Sequence, residues 1–180
     1  MSGALASARA ARGADLMGSP EIEFLRRVSL FQDVEESVLR ALWPSFRERR
    51  LRRGDVLFRT GDPGEELFLL KEGSIVVSKP ITGRVEQVLG RIEPGEAFGE
   101  MSVFGDERHR SATCQAEADS LLYSLDRDSL GRFIAGNPQT AARFFQHMAQ
   151  AAFKRLRDSS DLVAEVTRWG LEATGLDVEH

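Results

Sequence analysis

The sequence predicts a mainly β domain with flanking helices, an α+β fold, from three observations. From Phe46 to Leu125, apolar segments of strand length alternate with glycine-containing turns at short intervals, as in a β-sandwich or barrel. After Leu125, apolar residues recur every three or four positions, as on one face of a helix. Before Phe46, two shorter stretches show the same helical spacing.

The N-terminal part is predicted to hold a loose segment and two helices. Residues 1–18 contain six alanines and three glycines without apolar periodicity, so we expect a disordered segment. Ser19-Pro20-Glu21 is typical of a helix start, with serine as the cap and proline in the first turn. A second helix is predicted from Val34 to Trp43, ended by Pro44.

Glycine turns separate the predicted strands, which fall at 56–58, 67–70, 75–77 and 85–92. The turns are Arg53-Gly54-Asp55, Gly61-Asp62-Pro63-Gly64, Lys71-Glu72-Gly73 and Thr82-Gly83-Arg84. The arginine-rich run 47–53 precedes them and resembles a nucleic-acid patch. We interpret it instead as an early strand with a solvated outer face, and expect no direct DNA binding.

Helices are predicted again after the strands. Asp126 is expected to cap a short helix that ends at Gly136-Asn137-Pro138, and a long helix follows from about Pro138 to Trp169. The domain boundaries are therefore 19–137 for the β domain with its flanking helices, 138–169 for the long helix and 170–180 for a flexible tail.

One apolar stripe follows the long helix. Its members are Phe145, Met148, Ala152, Leu156, Ser159, Val163 and Val166. Near Phe145 we expect the stripe to pack on its own domain. Beyond Leu156 it extends past that domain, which predicts a homodimer; the alternative is packing within one chain.

Composition narrows the function classes. The formal net charge of -4 disfavours a dedicated nucleic-acid binder, whose footprint is usually basic. No apolar run reaches the roughly 20 residues that span a bilayer, and the N-terminus lacks the pattern of a signal peptide. We expect a cytoplasmic protein without membrane insertion. The single cysteine, Cys114, excludes an intramolecular disulfide and is expected to be buried.

The segment with the clearest chemistry runs from Phe98-Gly99-Glu100-Met101-Ser102 to Arg110-Ser111-Ala112. Gly99 lets backbone approach a ligand closely, because glycine has no Cβ. Arg110, ten residues past Glu100, supplies a planar, permanently charged fork for a phosphate. Glu100 would then accept a hydrogen bond from a neighbouring hydroxyl, such as a ribose 2′-OH.

This segment resembles the phosphate-binding cassette of cyclic nucleotide-binding domains, as in the bacterial catabolite activator protein and the regulatory subunits of cAMP-dependent kinase. The resemblance covers roughly residues 21–158 and includes Gly61-Asp62-Pro63-Gly64 and Leu125-Asp126-Arg127. It implies a double-stranded β-helix, or jelly-roll β-roll, that binds cAMP or cGMP. It also implies that Arg110 pairs with the cyclic phosphate, Glu100 with the ribose hydroxyl and Ser111 with phosphate or purine.

The predicted ligand-binding residues are Phe98, Gly99, Glu100, Met101, Ser102, Arg110, Ser111, Ala112 and Arg155. Two positions depart from the family pattern. Ser102 replaces a small apolar residue, and Arg155-Leu156 stands where the bacterial activator reads adenine with a Thr-Ser pair. Arg155 is expected either to stack over the purine by a cation–π contact or to lie on the solvent side of the long helix.

These observations lead to a stand-alone, non-enzymatic cyclic nucleotide sensor that signals by helix rearrangement to an unknown protein partner. Few residues follow Trp169, so we expect no helix-turn-helix domain. One alternative is a scaffold that has lost its ligand, with Glu100 and Arg110 as an ordinary ion pair. The other is a cupin-like metal enzyme, but His109, His147 and His180 do not form the required His-x-His pattern, and we predict no metal.

Overall fold

The computed structural model describes residues 19–82, 85–105 and 108–174. Within them, eight strands form two four-stranded antiparallel sheets, ordered β1-β8-β3-β6 and β2-β7-β4-β5. The strands are β1 Arg47–Leu51, β2 Val56–Phe58, β3 Glu66–Glu72, β4 Ile75–Thr82, β5 Val85–Ile92, β6 Ala97–Phe98, β7 Thr113–Ala116 and β8 Ser120–Asp126. The predicted β-roll is confirmed, and of the turn predicted at 82–84 only residue 82 lies within the described residues.

The central strands β3 and β8 are buried on both faces. Phe68 and Leu70 point between the two sheets, where they pack with Phe58 and Ile75. Leu67 and Leu69, one residue out of phase, point to a second core under the helices. This double burial explains why the run 67–70 is continuously apolar rather than alternating.

The arginine-rich strand β1 lies at the edge of its sheet, beside β8. Arg47, Glu48, Arg49 and Arg50 are exposed, whereas Phe46 and Leu51 are half-buried, as predicted. Charged side chains on an edge strand disfavour pairing with another chain. The run is therefore accounted for by its place in the fold.

The N-terminal helices cover the outer face of the first sheet. Helix α1 spans Pro20–Arg27, and the Ser19 side chain caps it by accepting from the Ile22 N–H at 3.4 Å, as predicted. Helix α2 spans Glu36–Leu42 and passes into a 3-10 turn at Trp43–Ser45. The α-helix therefore ends just before Trp43-Pro44, close to the predicted end, and the fixed φ of Pro44 suits the first positions of the 3-10 turn that follows.

A short helix and a long one follow the roll. After the cassette helix α3 (Glu100–Phe104), helix α4 spans Arg127–Gly136 and helix α5 spans Pro138–Thr174. Asp126 caps α4 by accepting from the Ser129 N–H at 2.8 Å, as predicted. Helix α5 continues five residues past Trp169, so residues 170–174 of the predicted tail are helical. A single glycine at 170 costs only about 1 kcal/mol in a helix. Residues 1–18 and 175–180 lie outside the described part.

The part of α5 near Phe145 packs on the roll as predicted, with Met148 against the core, but the residue buried most deeply is its neighbour Phe144. Phe144 is fully buried against Phe31 and Phe133, whereas Phe145 is 38% exposed and touches Phe104 edge-on. The sequence pattern placed the contact one residue too late because both phenylalanines fit a helical spacing. Further along, the apolar side chains that are more than half exposed are Phe153, Leu156, Val163, Val166 and Trp169.

Two further findings concern the described residues only. None of their helices combines the length and apolarity that crossing a membrane requires. Cys114 is buried between the sheets, and this burial raises the pKa of its thiol to about 12. The thiol therefore stays protonated and unreactive at neutral pH.

Candidate functional site

The cassette begins where β6 ends. Gly99 adopts a left-handed conformation with φ of 82°, and helix α3 starts at the next residue. A Cβ at position 99 would lie 2.7 Å from Nη1 of Arg110 and 3.1 Å from the Glu66 carbonyl oxygen. Both the backbone conformation and the close approach of Arg110 therefore require glycine here.

Arg110 turns inward and is only 6% exposed. Its Nη1 donates to the Glu66 carbonyl at 3.0 Å, the Gly99 carbonyl at 3.2 Å and Ser102 Oγ at 2.8 Å. All three acceptors are uncharged. Burial lowers the pKa of the guanidinium from its ordinary value, yet an arginine remains protonated at neutral pH. The site thus holds a buried positive charge whose hydrogen-bond partners are all neutral.

Aromatic rings and a glycine enclose the same guanidinium. Its Cζ lies 4.3 Å from the ring centre of Phe58 and 5.2 Å from that of Phe68. A Cβ on Gly64 would lie 2.7 Å from Cζ, so Gly64 lets the backbone approach from the other side. Nε is buried and has no hydrogen-bond partner in the described residues. Arg110 therefore retains donor capacity that the protein does not use.

Glu100 contacts the long helix instead of Arg110. Its Oε1 accepts from Nη1 of Arg155 at 2.7 Å, and Nη2 of Arg155 donates to the Ala97 carbonyl. The side chains are 17% and 35% exposed, respectively. Arg155 therefore packs against the cassette instead of lying on the solvent side of the long helix, and Glu100 pairs with Arg155 rather than with Arg110. The contact of Arg155 with a purine stays a prediction.

A cavity of about 300 Å³ lies between α5 and the cassette. Glu100 and Arg155 line it together with residues of α5 and the 3-10 turn 29–31, but Arg110 does not. This structure therefore does not bring Glu100 and Arg110 together in this cavity. The reason is that Arg110 satisfies backbone carbonyls under the cassette while Glu100 reaches outward to Arg155.

The remaining predicted residues divide between surface and core. Met101 is 60% exposed, and its Sδ lies 3.3 Å from the exposed Ser111 hydroxyl. Phe98 and Ala112 are buried, and the Phe98 ring stacks on Phe68 at 5.5 Å within the inter-sheet core. The Phe98 side chain is therefore a core residue, although the residue precedes the cassette glycine directly.

Sequence reasoning missed several groups around Arg110. Phe58, Phe68 and the Glu66 carbonyl contact its guanidinium, and Nη2 of Arg127 donates to the Ser102 carbonyl at 2.9 Å. Gly64 belongs to the turn Gly61-Asp62-Pro63-Gly64, which is part of the family resemblance. A backbone acceptor such as the Glu66 carbonyl has no side-chain signature, so spacing alone could not reveal it.

Comparison with known proteins gives consistent results. A sequence model described as "Cyclic nucleotide-binding domain" matches residues 48–137. The chain is 28% identical over 144 residues to a CRP-like cAMP-activated global transcriptional regulator of Mycobacterium tuberculosis, covering 80% of this chain and 62% of the regulator.

Solved structures of related proteins are also similar to this chain. The N-terminal domain of a transcriptional regulator from Streptomyces coelicolor is 31% identical with a TM-score of 0.62, covering 78% of this chain and 94% of that one. The regulatory domain of Toxoplasma gondii PKA, crystallised with cAMP, is 30% identical with a TM-score of 0.58, covering 63% of this chain and 42% of that one.

The matched segment contains all eight strands of the roll apart from the first residue of β1, and it contains the whole cassette. The chain spans less than two thirds of the mycobacterial regulator, so the likeness concerns part of that protein rather than the whole. In fold, in sequence and in the order of its cassette residues, this chain belongs to the family of cyclic nucleotide-binding domains.

Proposed function

We propose that this chain is a non-enzymatic sensor that binds cAMP or cGMP and signals to a protein partner by rearranging its helices. The observation that carries the proposal is the Arg110 guanidinium, which is buried, charged and surrounded by neutral acceptors. The carboxylates of Glu66, Asp62 and Glu100 attract this charge without hydrogen-bonding to the guanidinium, so they offset only part of the cost of its burial. An anionic ligand that reaches Arg110 would offset this cost, and a cyclic phosphate matches the planar fork of arginine.

Glu100 supports a ribose at the neighbouring position. Only Oε1 takes part in its pair with Arg155. A carboxylate has about four acceptor positions on its two oxygens, so Oε2 can accept a ribose 2′-hydroxyl while the pair persists. Ser111, whose hydroxyl now contacts the Met101 sulfur, would exchange this weak partner for a phosphate oxygen or the purine.

The pair between Glu100 and Arg155 also suggests how binding is transmitted. It connects the cassette helix α3 to the long helix α5 across 55 positions of sequence. A ligand that draws α3 toward Arg110 would move the Glu100 carboxylate, to which Arg155 is hydrogen-bonded. Helix α5 would follow if the ligand favours that arrangement, which is a shift of population between two helix positions.

We further propose that the chain acts as a homodimer through the distal half of α5. Leu156 and Val163 are seven residues apart and are 66% and 56% exposed. A spacing of seven places both on one side of a helix. A second copy of the same helix would cover these side chains.

One alternative has an observation in its favour. Glu100 is already paired with Arg155, and Arg110 does not line the cavity beside them. A scaffold that no longer binds nucleotide would retain both features. The two functions differ in whether the purified protein responds to nucleotide.

A thermal-shift panel followed by calorimetry separates them. The full chain is tested with cAMP, cGMP, cyclic dinucleotides and divalent metal ions. A ligand at a hundred times its Kd adds about 2.7 kcal/mol to the free energy of unfolding. A shift with cAMP or cGMP supports the sensor, the absence of any shift supports the scaffold, and a shift with metal alone supports the enzyme alternative.

A further inference from the structure

Two arginines near the cassette share an unusual feature. In the described part of the chain, the buried side-chain nitrogen or oxygen atoms without a hydrogen-bond partner are Nε of Arg110 and Nε of Arg127. Both arginines donate to the same residue, Ser102. Arg110 reaches its side chain, whereas Arg127, the first residue of α4, reaches its carbonyl.

The hydroxyl of Ser102 has a defined polarity. It donates to the Gly99 carbonyl at 3.1 Å and accepts from Nη1 of Arg110 at 2.8 Å. A hydroxyl has a single proton. Because that proton is used on Gly99, the oxygen presents a lone pair to Arg110. Ser102 is only 1% exposed, so water does not compete for this position.

The backbone of Ser102 is fixed by a separate contact. Nη2 of Arg127 donates to its carbonyl oxygen at 2.9 Å. This bond connects the short helix α3 to the start of α4. The position of Ser102 Oγ is therefore set from two sides, by Gly99 and by Arg127.

We propose that Ser102 is a positioning residue that holds Arg110 in a ligand-ready orientation before any nucleotide arrives. With Nη1 held by Ser102 and two carbonyls, the buried Nε keeps an unused donor, which a phosphate oxygen can accept from once the ligand opens a path past Gly64. The inference rests on the proposed function and assigns Ser102 a role through Arg110 rather than a contact with the ligand. The rival explanation is that the hydroxyl only stabilises the turn by bonding to Gly99.

The test compares Ser102→Ala with Ser120→Ala in the full chain. Ser120 is also a buried serine, 5% exposed, and its hydroxyl donates to the Ala118 carbonyl at 2.8 Å, at the far end of β8. Calorimetry with cAMP should show about tenfold weaker binding for S102A, about 1.4 kcal/mol, and unchanged binding for S120A. Both variants lose a buried hydrogen bond, so a difference in affinity separates positioning from general stability.

A second readout needs no nucleotide. NMR of the ligand-free protein should show distinct, slowly exchanging guanidinium protons for Arg110, identified by their loss in Arg110→Lys. They should remain in S120A and collapse to an averaged signal in S102A. A merely structural serine would leave them distinct, because Glu66 and Gly99 still accept from Nη1.

Each outcome either supports or overturns the positioning role of Ser102. Equal affinity of S102A and wild type, or unchanged Arg110 signals in S102A, overturns the proposal. If wild type binds no nucleotide, the proposed function fails, and the NMR comparison alone decides whether Ser102 positions Arg110. If S102A does not fold, Ser102→Cys replaces it, since a thiol is similar in size and a poor acceptor. Its affinity is then expected to fall as well.

Discussion

Arg155 on α5 and Glu100 on α3 are joined by a 2.7 Å contact between Nη1 and Oε1. The second Nη of Arg155 reaches the Ala97 carbonyl in the strand before the cassette. One side chain of the long helix therefore contacts both ends of the turn around Gly99. A weaker pair, Lys154 Nζ with Glu96 Oε1 at 3.5 Å, lies beside it. The cassette and the long helix are thus connected by charged contacts as well as by the packing of Phe144 and Phe145 on Phe104.

Replacing Arg155 with glutamine should weaken nucleotide binding and uncouple α5 from the ligand. A half-exposed ion pair contributes up to about 1 kcal/mol, which corresponds to roughly a fivefold loss of affinity. Hydrogen exchange should show that cAMP protects the amides of α5 in wild type and not in R155Q. Lys154→Gln is the control, because its pair is longer and more exposed. Tighter binding by R155Q would instead mean that Arg155 competes with the ligand for Glu100.

Replacing Arg110 with alanine should abolish most of the affinity for cAMP. Truncating one partner of a buried charge pair costs about 2–5 kcal/mol, so calorimetry should show a loss of at least about 30-fold. Arg108→Ala is the matched control, since Arg108 lies two residues away, is 63% exposed and pairs with Glu65. Binding by R110A at wild-type strength would remove Arg110 from the site.

Two glycine substitutions should change stability in opposite directions. Gly99→Ala introduces a Cβ at a φ of 82° and 2.7 Å from Arg110 Nη1, and should lower the free energy of unfolding by about 1–3 kcal/mol. Gly131 lies within helix α4, where an added Cβ meets nothing within 4 Å. Gly131→Ala should therefore raise stability by up to about 1 kcal/mol. Urea unfolding measures the change in the free energy of unfolding for both variants. Equal changes would contradict the strain assigned to position 99.

Acid should destabilise the cap of α4. The hydrogen bond from the Ser129 N–H lowers the pKa of Asp126 in the folded chain. A lowered folded pKa means that the carboxylate stabilises the fold above the unfolded pKa of about 3.9, and that this contribution is lost as the pH falls through the folded pKa.

Asp126→Asn keeps a capping oxygen but cannot titrate. The free energy of unfolding, measured with urea from pH 7 to pH 3, should therefore fall less steeply for D126N than for wild type. Asp126→Ala removes the cap and should cost about 1 kcal/mol at pH 7. Parallel pH profiles for wild type and D126N would show that Asp126 does not contribute to the acid sensitivity.

Much of the fold could be predicted from the sequence because local signals agreed with the tertiary structure. The glycine turns at Gly54, Gly61 and Gly73, the run 67–70 and the Ser19 and Asp126 caps each predicted an element that the structure contains. One error arose because two adjacent residues satisfied the same pattern. Phe144 and Phe145 both fit a helical face, and only packing against Phe31 decides between them.

The site was less predictable because its geometry depends on long-range contacts. The motif identified Gly99, Glu100 and Arg110, but not which groups they meet. Arg110 bonds to the Glu66 carbonyl, 44 positions away, and Glu100 to Arg155, 55 positions away. Spacing in sequence contains no information about such contacts. The hydroxyl of Ser102 lies beside Arg110, a contact that the substitution of a small apolar residue does not reveal in the sequence.

The distal half of α5 supports the remaining prediction, which concerns assembly. Phe153, Leu156, Val163, Val166 and Trp169 are each more than half exposed, and exposed apolar stripes of this kind are typical of interfaces. Light scattering after size exclusion should give twice the chain mass for wild type. Leu156→Asp combined with Val163→Asp should give a monomer that still binds cAMP. Ile81→Asp replaces an equally exposed apolar residue on β4 and should leave the dimer intact. A wild-type monomer at high concentration would contradict the homodimer.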